Sequence, residues 1–121
     1  MGGEATYVKL KGVSQQNMLI PNPPRSIKMA CGENPKRVYG SRNLTPASRM
    51  GNVWLMRQQM FAAWQLKQKQ EEWDCLSAKG AATGARPEDI SLQILVDLLN
   101  SKVLAQIHCY KVEDIEVRKK I

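Results

Sequence analysis

Histidine is almost missing from this chain: of 121 residues, only His108 carries an imidazole. Any Ser-His-Asp or Cys-His arrangement would have to use that one side chain, and a zinc site built on it would need cysteine or carboxylate partners. Cysteine is scarce as well. Cys31, Cys75 and Cys109 are odd in number, far apart and free of any Cys-x-x-Cys pair, so neither a zinc knuckle nor a disulfide framework is expected. That pattern favours a reducing compartment, and no Lys/Arg-led apolar stretch opens the chain as a secretory signal would. Long hydrophobic runs are lacking too. The longest, around Ile94–Leu99, is broken by Asp97 and is too short to span a bilayer. The expectation is a soluble, cytoplasmic protein with no membrane association.

What is present has the size and balance of one domain. The hydrophobic fraction is 43% and the charged fraction 24%, ordinary values for a globular chain able to bury a modest core. The formal charge is +7, from 18 basic and 11 acidic residues. Residues 1–50 hold eight Lys/Arg against two Asp/Glu, residues 51–90 hold five of each, and residues 91–121 hold five against four. The basic excess is spread singly or in pairs among Pro, Gly and apolar residues. It reads as a solubility feature, and no nucleic-acid partner is expected.

Along the chain, Ala5–Leu10 is a short strand candidate closed by Gly12, and residues 11–24 form a loop ending in Pro21-Asn22-Pro23-Pro24. Ser26–Ala30 is a second strand candidate, followed by turn formers at Cys31–Pro35 and a loop through Gly40 and Pro46. The spacing of Val53, Met56, Met60, Phe61 and Trp64 predicts an amphipathic helix from Ser48 to about Leu76, projecting or ending where Gln65–Glu72 turns polar. Residues 77–86 are a flexible connector. Pro87-Glu88-Asp89 starts a second helix whose buried face is Ile90, Ile94, Leu95, Leu98 and Leu99. Val103–Tyr110 is a strand with Gln106 and His108 on one face, and Glu113-Asp114 opens a last helix that stops at Ile121. The order implies α/β organisation, with parallel strands joined by crossovers.

Two side chains stand out chemically. His108 lies at the end of a strand, just before the loop into a helix, where barrel enzymes keep functional groups. The plain alternative is a histidine hydrogen-bonded to a neighbour. Lys28 lies in an apolar strand followed by a Gly/Asn/Pro loop. A lysine there usually snorkels to solvent, and a buried one would need a depressed pKa or chemical modification.

Ile27-Lys28-Met29-Ala30-Cys31-Gly32-Glu33-Asn34-Pro35, with the following Lys36-Arg37-Val38-Tyr39-Gly40, resembles a lysine strand and Gly-Glu-Asn-Pro loop of the metal-dependent amidohydrolases. The likeness is to the branch related to imidazolonepropionase and the prolidase-like members. Arg49-Met50-Gly51-Asn52 and Ile107-His108-Cys109-Tyr110 match further blocks in the same order, and Gly2-Gly3-Glu4 through Gly12 is similar to the stretch upstream. Nearly the whole chain apart from the connector is covered.

The resemblance implies a partial (β/α)8 TIM-barrel segment around strands 4 and 5, one incomplete segment over residues 1–121. It implies that Lys28 is the fourth-strand lysine, carboxylated to bridge two divalent metals, with Lys9 in its Val-Lys-Leu run as competitor. His108 would be the fifth-strand metal ligand. Zinc is the commonest expectation, and the metal would activate a water against an amide, lactam or ester carbonyl. The chain departs from the pattern in lacking a first-strand His-x-His pair, a sixth-strand histidine and a last-strand aspartate, and a full barrel needs about 250 residues. The expectation is therefore an amidohydrolase-related, truncated chain with no complete catalytic set, inactive alone. It should self-associate or pair with a missing barrel half, since a half barrel leaves sheet edges unpaired. Ordinary packing is the plain account of Trp54 and Trp64. The alternative function is a non-catalytic interaction module using the basic first half and the long helix.

Overall fold

A parallel pair of strands needs a long crossover between them, and most of this chain is that crossover. The computed structural model describes residues 3–118. Gly2 of the opening motif and Ile121, the expected end of the last helix, lie outside them. The elements run β1 (Gly3–Ala5), α1 (Gln15–Met18), β2 (Ser26–Ala30), α2 (Glu33–Gly40), α3 (Arg49–Ala78), α4 (Ile90–Leu99), β3 (Leu104–His108) and α5 (Val112–Arg118). They form a small mixed α/β domain on a three-stranded sheet ordered β1-β2-β3. The β2–β3 pair is parallel, with Ser26 opposite Leu104 and Ala30 opposite His108. β1 joins β2 antiparallel. Among the described residues, no helix is long and apolar enough to cross a membrane.

The core lies between one face of the sheet and two helices. Ile27 and Met29 from β2 meet Ala63 and Leu66 from α3 and Leu95 and Val96 from α4, with Val103 closing the cluster. Ser48 caps α3, its Oγ accepting from Gly51 N at 3.0 Å, a role that suits serine because its oxygen meets an otherwise orphan helix donor. Asp89 does the same for α4 through Ser91 N at 2.9 Å. Arg25 ties the sheet edge to α4: its Nε donates to Glu4 and its Nη1 to Asp97, both at 2.8 Å.

Several expectations change on the structure. The first strand is Gly3–Ala5 rather than Ala5–Leu10. Val8 instead bridges Leu19 in a small hairpin that holds α1, and Leu10 is exposed. Residues 33–40, expected as loop, are helix α2. Pro35 falls in its first turn, where the backbone N–H has no partner to lose, and Glu33 faces the positive end of the helix dipole. α3 neither ends nor projects at Gln65. It continues to Ala78 because Leu66 and Gln70 stay buried, Gln70 Nε2 donating to Pro87 O at 2.9 Å and Gln93 Oε1 at 3.2 Å. The stripe assigned to its buried face divides. Met56 and Met60 pack on the core and Val53 is half-buried, while Phe61 and Trp64 are about half exposed; Trp54, for which ordinary packing was expected, is exposed as well. Ile90 is 94% exposed at the first turn of α4, so it is no part of that helix's buried face, and Val96 takes a place there instead.

Cys31 and Cys109 lie one position beyond the last paired residues of β2 and β3 and are joined by a disulfide, with Cα atoms 5.1 Å apart. This corrects the expectation drawn from cysteine spacing. Parallel pairing sets side by side two residues 78 apart in sequence, a separation that carries no local signal. The cysteine count then gives no support to a reducing compartment. Cys75 is free and exposed.

Two measurements check this account. Leu95→Ala removes a fully buried side chain and should lower the urea-unfolding free energy by about 2–5 kcal/mol, while Ile90→Ala should stay within about 0.5 kcal/mol of the parent. Alkylation in denaturant followed by intact mass should add one label before reduction, on Cys75, and three after it; three labels before reduction would show the pair open.

Candidate functional site

Successive residues of a strand point to opposite faces. Ile27, Met29 and Ile107 turn toward the helices. The other face therefore carries Ser26, Lys28 and Ala30 from β2 and Leu104, Gln106 and His108 from β3. The register sets Lys28 beside Gln106 and Ala30 beside His108. Lys28 and His108 are thus diagonal neighbours on one face, with Cα atoms roughly 8 Å apart by strand spacing and rise, and both are exposed. Lys9 is not on this face: it lies in the hairpin, its backbone N donating to Met18 O at 2.7 Å.

Polar contacts brace the face at both ends. Toward the strand starts, Gln106 Nε2 donates to Tyr7 Oη at 2.6 Å and to Ser26 Oγ at 3.4 Å. Toward the strand ends, the His108 ring meets Tyr110 edge-on, centroids 4.7 Å apart, and the Tyr110 hydroxyl donates to Asn34 Oδ1 at 3.1 Å. Cys31 N donates to His108 O at 2.8 Å, carrying the ladder one step past the named strands.

Behind the strand ends lies a second polar layer. Asn52 Nδ2, buried in the first turn of α3, donates to Gly32 O at 2.9 Å. Arg49 donates through Nε and Nη2 to Asp114 Oδ1 at 3.0 and 2.7 Å. Asp114 raises the Arg49 guanidinium further above its ordinary value, so α3 and α5 are joined by a fixed positive charge. The Asp114 side chain is 9% exposed, and its Oδ2, without a hydrogen-bond partner among the described residues, faces Gly32.

Tyr7 and the Arg49–Asp114 pair were not singled out by sequence reasoning. Arg49 stands in a quoted block and Asp114 was read only as a helix-start acid; nothing in the one-dimensional pattern joins residues so far apart. Gln106, by contrast, follows from strand alternation.

Among the described residues, no three of His, Cys, Asp and Glu gather into a group able to hold a metal ion. Lys28 and His108 offer two donor positions, and the lysine would supply an oxygen only after carboxylation. A zinc site takes at least three protein ligands, so the residues present do not fit a metal held by this chain alone.

No family model matches the chain. The amidohydrolase tasK of Hapsidospora irregularis is 41% identical over a stretch that takes in 96% of this chain. A crystal structure of an amidohydrolase from Thermotoga maritima MSB8 superposes on 93% of the chain with a TM-score of 0.74 at 27% identity. Both relatives support the amidohydrolase superfamily. The chain spans 13% of the length of the first relative and 28% of the second. The amidohydrolase likeness thus takes in both strands of the Lys28 and His108 face together with the helices behind it.

Gly32 opens α2 with φ +78°, and a Cβ there would lie 3.1 Å from Asp114 Oδ2. Gly32→Ala should therefore destabilise the chain by about 1–3 kcal/mol. Gly80→Ala, at φ +69° but with no atom near its Cβ position, should cost less. Equal losses in chemical denaturation would show that the Asp114 contact contributes nothing.

Proposed function

We propose that this chain supplies two neighbouring wall strands, in the positions of the fourth and fifth, to a (β/α)8 barrel of a metal-dependent amidohydrolase. The quoted blocks favour the branch related to imidazolonepropionase and the prolidase-like members. The observation that carries the reading is the common face of Lys28 and His108 on adjacent parallel strands whose other face is covered by α3 and α4. A barrel of this kind has its helices outside and its functional side chains inside. In that setting His108 and a carboxylated Lys28 would be two ligands of a divalent metal, zinc being the first candidate. The metal would supply Lewis acidity toward an amide, lactam or ester carbonyl.

The chain's own residues do the positioning. The bonds from Gln106 to Tyr7 and Ser26 hold the strand next to Lys28, and the Tyr110 ring limits how the His108 imidazole can turn. On this reading the chain, with two donor positions, hydrolyses nothing alone, and its partner is the remaining barrel wall. The interaction-module alternative draws less support, because Arg25, Lys36 and Arg49 of the basic half are engaged by Glu4 and Asp97, by Glu33 and by Asp114.

The test is a zinc titration followed by NMR in isotope-labelled bicarbonate. In a mixture with a chain that supplies the remaining barrel strands, zinc should shift the His108 ring signals and those of Gln106, and a carbamate carbon signal should disappear in Lys28→Arg; this chain by itself should show neither. Gln106 shifts that persist unchanged in His108→Ala would defeat the reading.

A further inference from the structure

The long helix α3 keeps an apolar stripe that nothing in the described chain covers. Met50 is 81% exposed, Trp54 59%, Phe61 58% and Trp64 48%. At 100° per residue, these four and Arg57 fall within one third of the helix circumference, opposite the buried Ala63, Leu66 and Gln70. Phe61 and Trp64 stack on each other with centroids 5.7 Å apart. Beside them a hollow of about 290 Å³ opens between Arg57, Met60 and Leu99. Isolated exposed apolar residues need no explanation, but a contiguous rimmed patch marks an interaction surface.

The charges on this face say what fits it. Arg57 and Glu71 stand seven residues to either side of Trp64, two helical turns each way, on the same face as the stripe. Among the described residues no ion pair engages Arg57. Glu71 is held only by its helix neighbours, Lys67 at 3.6 Å and Gln68 at 3.2 Å. α3 runs from Arg49 to Ala78, so Trp64 is also its midpoint. A two-fold axis through Trp64 would lay two copies of α3 antiparallel along nearly their whole length. It would set each Arg57 against the other copy's Glu71 and bring the two Phe61–Trp64 stacks together. A parallel arrangement would set Arg57 against Arg57.

We propose that the exposed face of α3 binds a second copy of this chain as an antiparallel, two-fold helix pair centred on Trp64. The three aromatics, each about half exposed, offer roughly 100 Å² apiece. With Met50, Arg57, Gln68 and Glu71, counted on both copies, the buried area reaches the ~1,200 Å² at the lower end of specific interfaces. The pair is accordingly a weak one, with a dissociation constant of about micromolar order. It uses the side of α3 away from the sheet and does not rest on the metal reading.

Sedimentation equilibrium of the whole chain tests it, with circular dichroism to show that each variant keeps the fold. The parent should fit a monomer–dimer equilibrium. Arg57→Glu alone and Glu71→Arg alone should each weaken it about tenfold, since each sets like charges face to face twice across the axis. The double variant Arg57→Glu/Glu71→Arg should return it to near the parent value. A monomer at every concentration would overturn the proposal. So would association that ignores the single changes, which would point to the open β3 edge, or that the double variant fails to restore.

Discussion

Everything in this structure follows from the parallel pairing of β2 with β3. Parallel neighbours cannot be joined by a tight turn, so α2, α3 and α4 all belong to the connection between them. The connection folds back over one face of the sheet and buries Ile27 and Met29 against Ala63, Leu66, Leu95 and Val96. The opposite face is left with Lys28, Leu104 and His108 in the open. Parallel sheets are normally covered on both faces. The face left bare on this pair carries Lys28 and the chain's one histidine, His108.

The long helix is held in place by polar anchors as well as by its apolar contacts with the sheet. Asn52 at one end bonds to Gly32 O, and Gln70 toward the other bonds to Pro87 O. Both side chains are buried, and buried amides are costly unless bonded. Each therefore fixes the helix along its own axis, which apolar packing does poorly because it is non-directional. Arg49 adds a third tie to Asp114 of α5. With the helix fixed at three points, its outward stripe is presented in one orientation.

The sequence made the regular parts of this fold legible and left the long-range parts dark. Ser26–Ala30 is a strand, as its apolar run and flanking turn residues suggest, and Ser48 caps α3 as its side-chain chemistry allows. Alternation alone put Gln106 and His108 on one face. What failed had competing local signals. Pro35 counts among the turn formers of Cys31–Pro35 although it falls in the first turn of α2, and the polar run after Trp64 hid the buried Gln70. The Cys31–Cys109 disulfide and the Gln106–Tyr7 bond depend on which strands pair, and no local window contains that. The aromatic stripe misled for a related reason: periodicity shows that one face is apolar, but α3 has two such faces and only one can meet the sheet.

The scarcity of donors and the likeness to amidohydrolases are consistent with each other. A barrel site gathers its ligands from the ends of several strands, and neighbouring strands on one face can bring together only the few residues whose side chains point inward. On the proposed reading, β2 and β3 would contribute one such residue each, Lys28 and His108. The shortage therefore says nothing against the relationship. On that reading it goes with the share of the related proteins that the chain spans, 13% of one and 28% of the other. On the proposed reading, the chemistry depends less on changing either residue than on bringing more strands to the same face. The β2–β3 register holds Lys28 and His108 as diagonal neighbours on one face.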